Sequence, residues 1–208
     1  RTFGVFLLWQ RLGGNPTFGG AGFDLDVAAL RARGTPDDDM AVDDCDLFED
    51  QSFVAALGGD LGDPRIVAIA PQAPALVPQY KSGELAALDI PTMVQSGRND
   101  VTLPDATFAQ PAWAGLDHPD DIWVEMPTGA HYTFITICDD LEEELLLTIR
   151  PDAPDDGCGP EAVPTSRAVP VLGAYLLGFA RLHVLGETQF EALLRGPALD
   201  PDFVITTR

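Results

Sequence analysis

The sequence predicts an α/β fold: a mostly parallel sheet flanked by helices. Three observations carry that expectation. Four short apolar runs, at residues 3–8, 65–70, 92–96 and 122–126, read as strands. The segments between them are longer than any hairpin, which implies crossover connections and parallel neighbours. Several of those segments carry apolar residues at helical spacing, so strand and helix alternate along the chain.

Composition bounds the rest. The 208 residues are 46% hydrophobic, enough for one core, and the expectation is a single α/β domain over 1–208. The net charge is −21, from 33 acids against 12 bases, and Lys81 is the only lysine. Phosphate binding needs clustered cations, so this composition argues against a nucleic-acid partner and against docking on anionic membranes. No apolar run reads as long enough to span a bilayer. The acidity itself is the mark of a heavily solvated surface.

Phe3-Gly-Val-Phe-Leu-Leu8 is a continuous apolar run, the pattern of a strand buried on both faces. It follows Arg1 almost at once with no Met before it, and the expectation is a domain incomplete at its N-terminus. The run enters Trp9-Gln-Arg-Leu-Gly-Gly14, a strand followed by a tight glycine turn, which is the layout of a nucleophile elbow. Asp24–Arg33 reads as a helix with Leu25, Ala28, Ala29 and Ala32 on one face. Residues 36–50 hold eight acids without the alternate spacing, central glycine and final Glu of a calcium loop, so no metal is assigned. Leu47–Leu57 is a short amphipathic helix.

Arg65–Ala70 is the second strand. The loop after it lies at a strand's carboxyl end, where open parallel sheets bind ligands. Gln72 to Tyr80 are therefore candidate substrate-wall residues, an ordinary connection being the plainer reading. Thr92–Ser96 is the third strand, and its following loop delivers Asp100. Leu103–Leu116 is a helix interrupted by Pro111. Ile122–Met126 is the fourth strand, and its Pro/Gly turn presents His131. Plainer roles exist for both groups: Asp100 as a cap for the turn near Pro104, His131 as a half-exposed loop residue. His118 reads as surface and His183 as helix packing; three histidines without close spacing give no zinc signature. Asp140–Ile149 is a helix, Pro151–Pro164 an acidic, proline-rich excursion, and Ala168–Leu185 the strongest helical period in the chain. Gln189–Leu194 adds a last short helix.

Cys138 and Cys158 bracket an acidic segment and either close a disulfide across it or remain two thiols. A disulfide would place the protein outside the cytoplasm, extracytoplasmic or secreted. Cys45 is left over, free or paired outside the chain.

Five pieces stand in order: Arg11-Leu-Gly-Gly14 after a strand; Phe23-Asp-Leu with Ala28–Arg33; Asp63–Pro71; Ile90-Pro with Ser96-Gly-Arg-Asn-Asp100; and Gly129-Ala-His-Tyr-Thr-Phe134 with Cys138. The closing Arg181-Leu-His-Val-Leu-Gly186 also fits. Together they resemble the predicted dienelactone hydrolase branch of the α/β-hydrolase superfamily, with relatives among platelet-activating-factor acetylhydrolases and secreted polyesterases. The resemblance implies the C-terminal half of an α/β-hydrolase. It implies a serine-type carboxylic-ester hydrolase that needs no cofactor and acts on a small-molecule or polymeric ester. Asp100 would be the acid, His131 the base and the Leu12 N–H one oxyanion donor. By analogy of fold, Trp113 joins Gln72 and Tyr80 as a pocket residue.

The sequence departs from that pattern at the nucleophile. The elbow position holds Arg11, whose guanidinium stays protonated and cannot attack an acyl carbon. The serines, Ser52, Ser82, Ser96 and Ser166, lie outside any elbow context. Thr17-Phe-Gly-Gly20 offers an alternative register without a strand directly before it. The other reading is a non-catalytic homologue or processed fragment that pairs with a missing N-terminal half or another chain, since an open edge strand must be covered.

Overall fold

Hydrophobic runs too short for helices and rich in β-branched residues form the centre of the sheet. The computed structural model describes residues 65–75, 77, 83 and 85–208. From Ile66 onward these belong to one compact unit. The expected strand at 3–8, the helices at 24–33 and 47–57, the acidic loop at 36–50 and Cys45 all lie outside the described residues.

Strand β1, Met93–Gly97, pairs in parallel with β2, Ile122–Met126, in a register that sets Met93 against Ile122 and Gly97 against Met126. β2 has the expected bounds, and β1 is shifted by one residue. A third strand, β3 (Val204–Thr207), adds antiparallel to the far side of β2. The sequence reading assigned no strand there, although the β-branched run Val204-Ile-Thr-Thr207 carries the signal.

The strand expected at 65–70 is a correction. Two isolated parallel bridges, Ile69 to Thr92 and Gln72 to Gln95, replace a continuous ladder on the free side of β1. Pro71 lies between them and has no N–H to donate. Its carbonyl still accepts from the Gln95 N–H at 2.9 Å, and Ala73 donates to the Gln95 carbonyl at 2.8 Å. The parallel sheet therefore extends past β1 in broken form.

Helix α1 spans Ala109–Gly115, shorter than expected, with Pro111 in its first turn, where no intrahelical N–H is lost. The helix expected over 140–149 is two: α2, Ile137–Asp140, and α3, Glu143–Ile149. Leu141 and Glu142 are extended and break it. The long helix α4, Thr165–Leu185, ends at Gly186 in the left-handed region at φ 71°, where glycine carries no Cβ penalty. A short α5, Glu191–Arg195, follows.

By length and composition α4 is apolar enough to cross a membrane, which corrects the expectation that no run qualifies. Here one face of it is core: Ala168, Leu172, Tyr175 and Phe179 are buried against Met93, Ile122, Val124 and Met126 of the sheet. Gln95 is fully buried and donates to the Leu172 carbonyl at 3.1 Å, fastening helix to strand. Burying these side chains supplies roughly 1.5–3 kcal/mol each.

The opposite face of the sheet is more polar. Trp123 Nε1 donates to Ser96 Oγ at 2.9 Å, and the Arg98 guanidinium pairs bidentately with Glu125. Asp105 lies beside them, and burial pushes its carboxyl up from the ordinary range.

Candidate functional site

Because β1 and β2 are parallel neighbours, the chain leaves both at the same edge of the sheet. Gly97 is level with Met126, so the loop carrying Asp100 and the loop carrying His131 start side by side. Their backbones are stitched together: Arg98 N–H donates to the Met126 carbonyl and Asn99 N–H to the Gly129 carbonyl, each at 3.0 Å. Glycine at 97 makes this approach possible. A Cβ there would lie 2.6 Å from the Gly129 carbonyl carbon and 2.7 Å from the Ala130 nitrogen.

The two side chains meet. Asp100 Oδ2 lies 3.1 Å from His131 Nδ1. Both side chains are shielded, at 3% and 14% exposure, so His131 is not half-exposed. A carboxylate neighbour assigns the proton to Nδ1 in the neutral ring and leaves Nε2 as the basic nitrogen. Among the described residues, no hydrogen bond engages Nε2. Asp100 also does what its plainer reading asks: Oδ1 accepts the Leu103 N–H at 2.5 Å and holds the turn. One oxygen caps and the other orients.

A carboxylate that sequence reasoning missed sits behind both loops. Asp156, 1% exposed, accepts hydrogen bonds from Val101 N, Thr102 N, Thr102 Oγ1 and His131 N. It belongs to the excursion between α3 and α4, in which Ala153, Asp156 and Gly157 are buried while Asp152, Pro154 and Asp155 face solvent. Cys138 and Cys158 are joined by a disulfide that closes this segment.

The remaining expected residues fall differently. Arg11, Leu12, Thr17 and Tyr80 lie outside the described residues. The Gln72 side-chain amide donates to Gln95 Oε1 at 2.6 Å. Trp113 packs its ring 6.1 Å from that of Trp123 and under the Arg208 guanidinium at 4.4 Å. Trp123 pairs with Val94, three residues before β2 ends, so these contacts are away from the edge where Asp100 and His131 emerge. Ser96 is a buried strand-end hydroxyl, as its plainer reading has it. His118 Nδ1 accepts from Asp120 N, and His183 packs on Phe179 with the rings tilted at 60° and their centroids 4.5 Å apart. No cluster of metal-binding side chains occurs among the described residues.

No protein-family model matches the chain, and no curated protein matches it. Among solved structures it is similar to a ferulic acid esterase from Streptomyces cinnamoneus, with a TM-score of 0.52 and 20% sequence identity. The match covers 73% of this chain and 44% of the esterase, so the chain spans less than half of that protein's length. At that identity the likeness bears on the fold. The described residues form a mixed three-stranded sheet flanked by helices, a partial α/β fold.

Proposed function

We propose that this chain supplies the acid and base of a carboxylic-ester hydrolase of serine type. One observation carries the reading: a shielded carboxylate and an imidazole, delivered from the ends of adjacent parallel strands, lie 3.1 Å apart, and no hydrogen bond to Nε2 occurs among the described residues. In that reaction a hydroxyl oxygen bonds to the acyl carbon while its proton passes to His131 Nε2. The intermediate collapses, the acyl–alcohol bond breaks, and the leaving alkoxide takes that proton. Water then releases the acid by the same two steps. Asp100 holds the ring and stabilises its cationic form throughout. Leu12 would supply one backbone N–H to the oxyanion.

The resemblance puts Arg11 at the elbow position of the sequence, so on this reading the hydroxyl comes from Thr17 in its shifted register or from a partner polypeptide. The ordered motifs favour the dienelactone hydrolase branch, and the likeness to a ferulic acid esterase is consistent with a carboxylic ester as substrate. The Cys138–Cys158 disulfide supports an oxidising, extracytoplasmic setting.

Arg11 itself favours a second reading, a non-catalytic homologue or fragment that pairs with another chain. Treatment with a fluorophosphonate probe, followed by peptide mapping and a p-nitrophenyl ester assay, separates the two. Labelling of Thr17 or of a co-purifying chain with ester turnover supports the hydrolase. Absence of both label and turnover leaves the non-catalytic reading.

A further inference from the structure

We infer that Asp156 is the positioning residue of the Asp100–His131 pair: one buried carboxylate fastens the two loops to each other and sets the approach of acid to base. The inference rests on the proposed roles of that pair. Its geometry is specific. Oδ1 accepts the Val101 N–H at 2.9 Å and the His131 N–H at 3.1 Å. Oδ2 accepts the Thr102 N–H at 3.2 Å and the Thr102 hydroxyl at 2.7 Å. A carboxylate has about four acceptor sites, and these four donors fill them. Every donor comes from the residues directly after the acid or from the base itself.

The segment that carries Asp156 is held on two sides. Gly157 takes φ 117°, a conformation that favours glycine, and a Cβ there would lie 2.9 Å from Thr133 N and Oγ1. Cys158, the next residue, is bonded to Cys138, which follows the His131 turn in sequence. The carboxylate is thus anchored by the chain that continues from the base and reaches back over 55 residues to the loop of the acid. Charge-assisted bonds to backbone N–H groups are short and directional, so the carboxylate works as a rigid pin.

The test uses the full 208-residue chain with histidine rings isotope-labelled, the His131 signal being the one of three that His131→Gln removes. In Asp156→Ala, the His131 ring signal moves toward that of Asp100→Asn. The signals of His118 and His183 stay in place, showing that the fold is kept. With a turned-over ester, kcat falls about 100-fold and KM stays within about twofold, the signature of a misplaced reacting group. Asp156→Asn keeps one acceptor oxygen for Val101 and His131, and its kcat loss is smaller, about 10-fold. That variant decides the matter should the alanine variant not fold. A His131 ring signal identical to wild type in the folded variants would overturn the assignment. A wild type inert toward esters counts against the hydrolase reading alone, because the ring signals still report whether Asp156 sets the pair.

Discussion

Asp100 divides its two oxygens between His131 and its own turn, with Oδ1 on the Leu103 N–H at 2.5 Å and Oδ2 on His131 Nδ1 at 3.1 Å. This division decides what an amide would do in its place. In Asp100→Asn the carbonyl oxygen must stay on the Leu103 N–H, so the NH2 group faces the ring. Nδ1 then becomes the acceptor and Nε2 carries the proton, the wrong tautomer for a base. The expected outcome is a kcat loss on the order of 10³–10⁴ with little change in stability. Ester kinetics beside a urea titration check it. Activity within tenfold of wild type would remove Asp100 from the mechanism.

The disulfide makes a separate, thermodynamic prediction. It closes a loop of 20 residues, and cross-linking a loop of that length lowers the entropy of the unfolded chain by about 3 kcal/mol at 25 °C. The double variant Cys138→Ser, Cys158→Ser is expected to lose roughly that much stability. For a domain of this size the melting temperature falls by about 6–12 °C. Calorimetry with and without a reductant measures it. A reductant that leaves the wild-type transition unmoved would mean that the bond is not present in solution.

Legibility in the sequence followed the range of the interaction. Residues 122–126 form a strand because a short β-branched and aromatic run bounded by Asp121 and Pro127 reads so locally, and α4 announces itself through its period. Asp100 and His131 could be singled out because each lies in the loop that follows such a run. The broken 65–70 strand was over-read, since apolar content outvoted Pro71. The break at Leu141–Glu142 was invisible because both residues tolerate a helix. Asp156 had no local signal: it is one acid in an acidic stretch, and its partners lie 25 and 55 residues away. Trp113 likewise had no local signal for its contact with Trp123, a neighbour brought near only by the fold.

Asp105 gives the pH dependence. It is 4% exposed, and burial outweighs the bonds from Ser96 and Gln110, so its folded pKa lies above the unfolded 3.8. Among the described residues its Oδ1 has no hydrogen-bond partner. A raised pKa means that the folded state holds its proton longer. The contribution is fully present below pH 3.8 and is lost as pH rises through the folded value. At neutral pH the buried charge is therefore a cost. Asp105→Asn should be more stable than wild type at pH 7 and should show a flatter stability profile from pH 4 to 7. Urea midpoints across that range test it, and an Asn variant less stable at pH 7 with the wild-type slope would refute it.

Gly97 is where the sheet and the site make the same demand. Conformational freedom is not at issue, since the structure gives this residue no left-handed backbone. Space is: the carbonyl carbon and oxygen of Gly129 and the nitrogen of Ala130 would lie 2.6–2.7 Å from an added Cβ. All three are backbone atoms, which cannot rotate away as a side chain can. Gly97→Ala must therefore push the His131 loop off the end of β1 by several tenths of an ångström. The shift lengthens the Asn99–Gly129 bond and draws His131 from Asp100. An overpacked contact of this kind costs about 1–3 kcal/mol of stability. A displacement approaching 1 Å at reacting groups costs on the order of 100-fold in rate. Activity should thus fall further than stability alone accounts for, even at temperatures where the variant is fully folded. Measuring kcat and the unfolding midpoint on the same preparation separates the two. Wild-type kcat in a destabilised Gly97→Ala would show that the loops move together and that their spacing is set elsewhere.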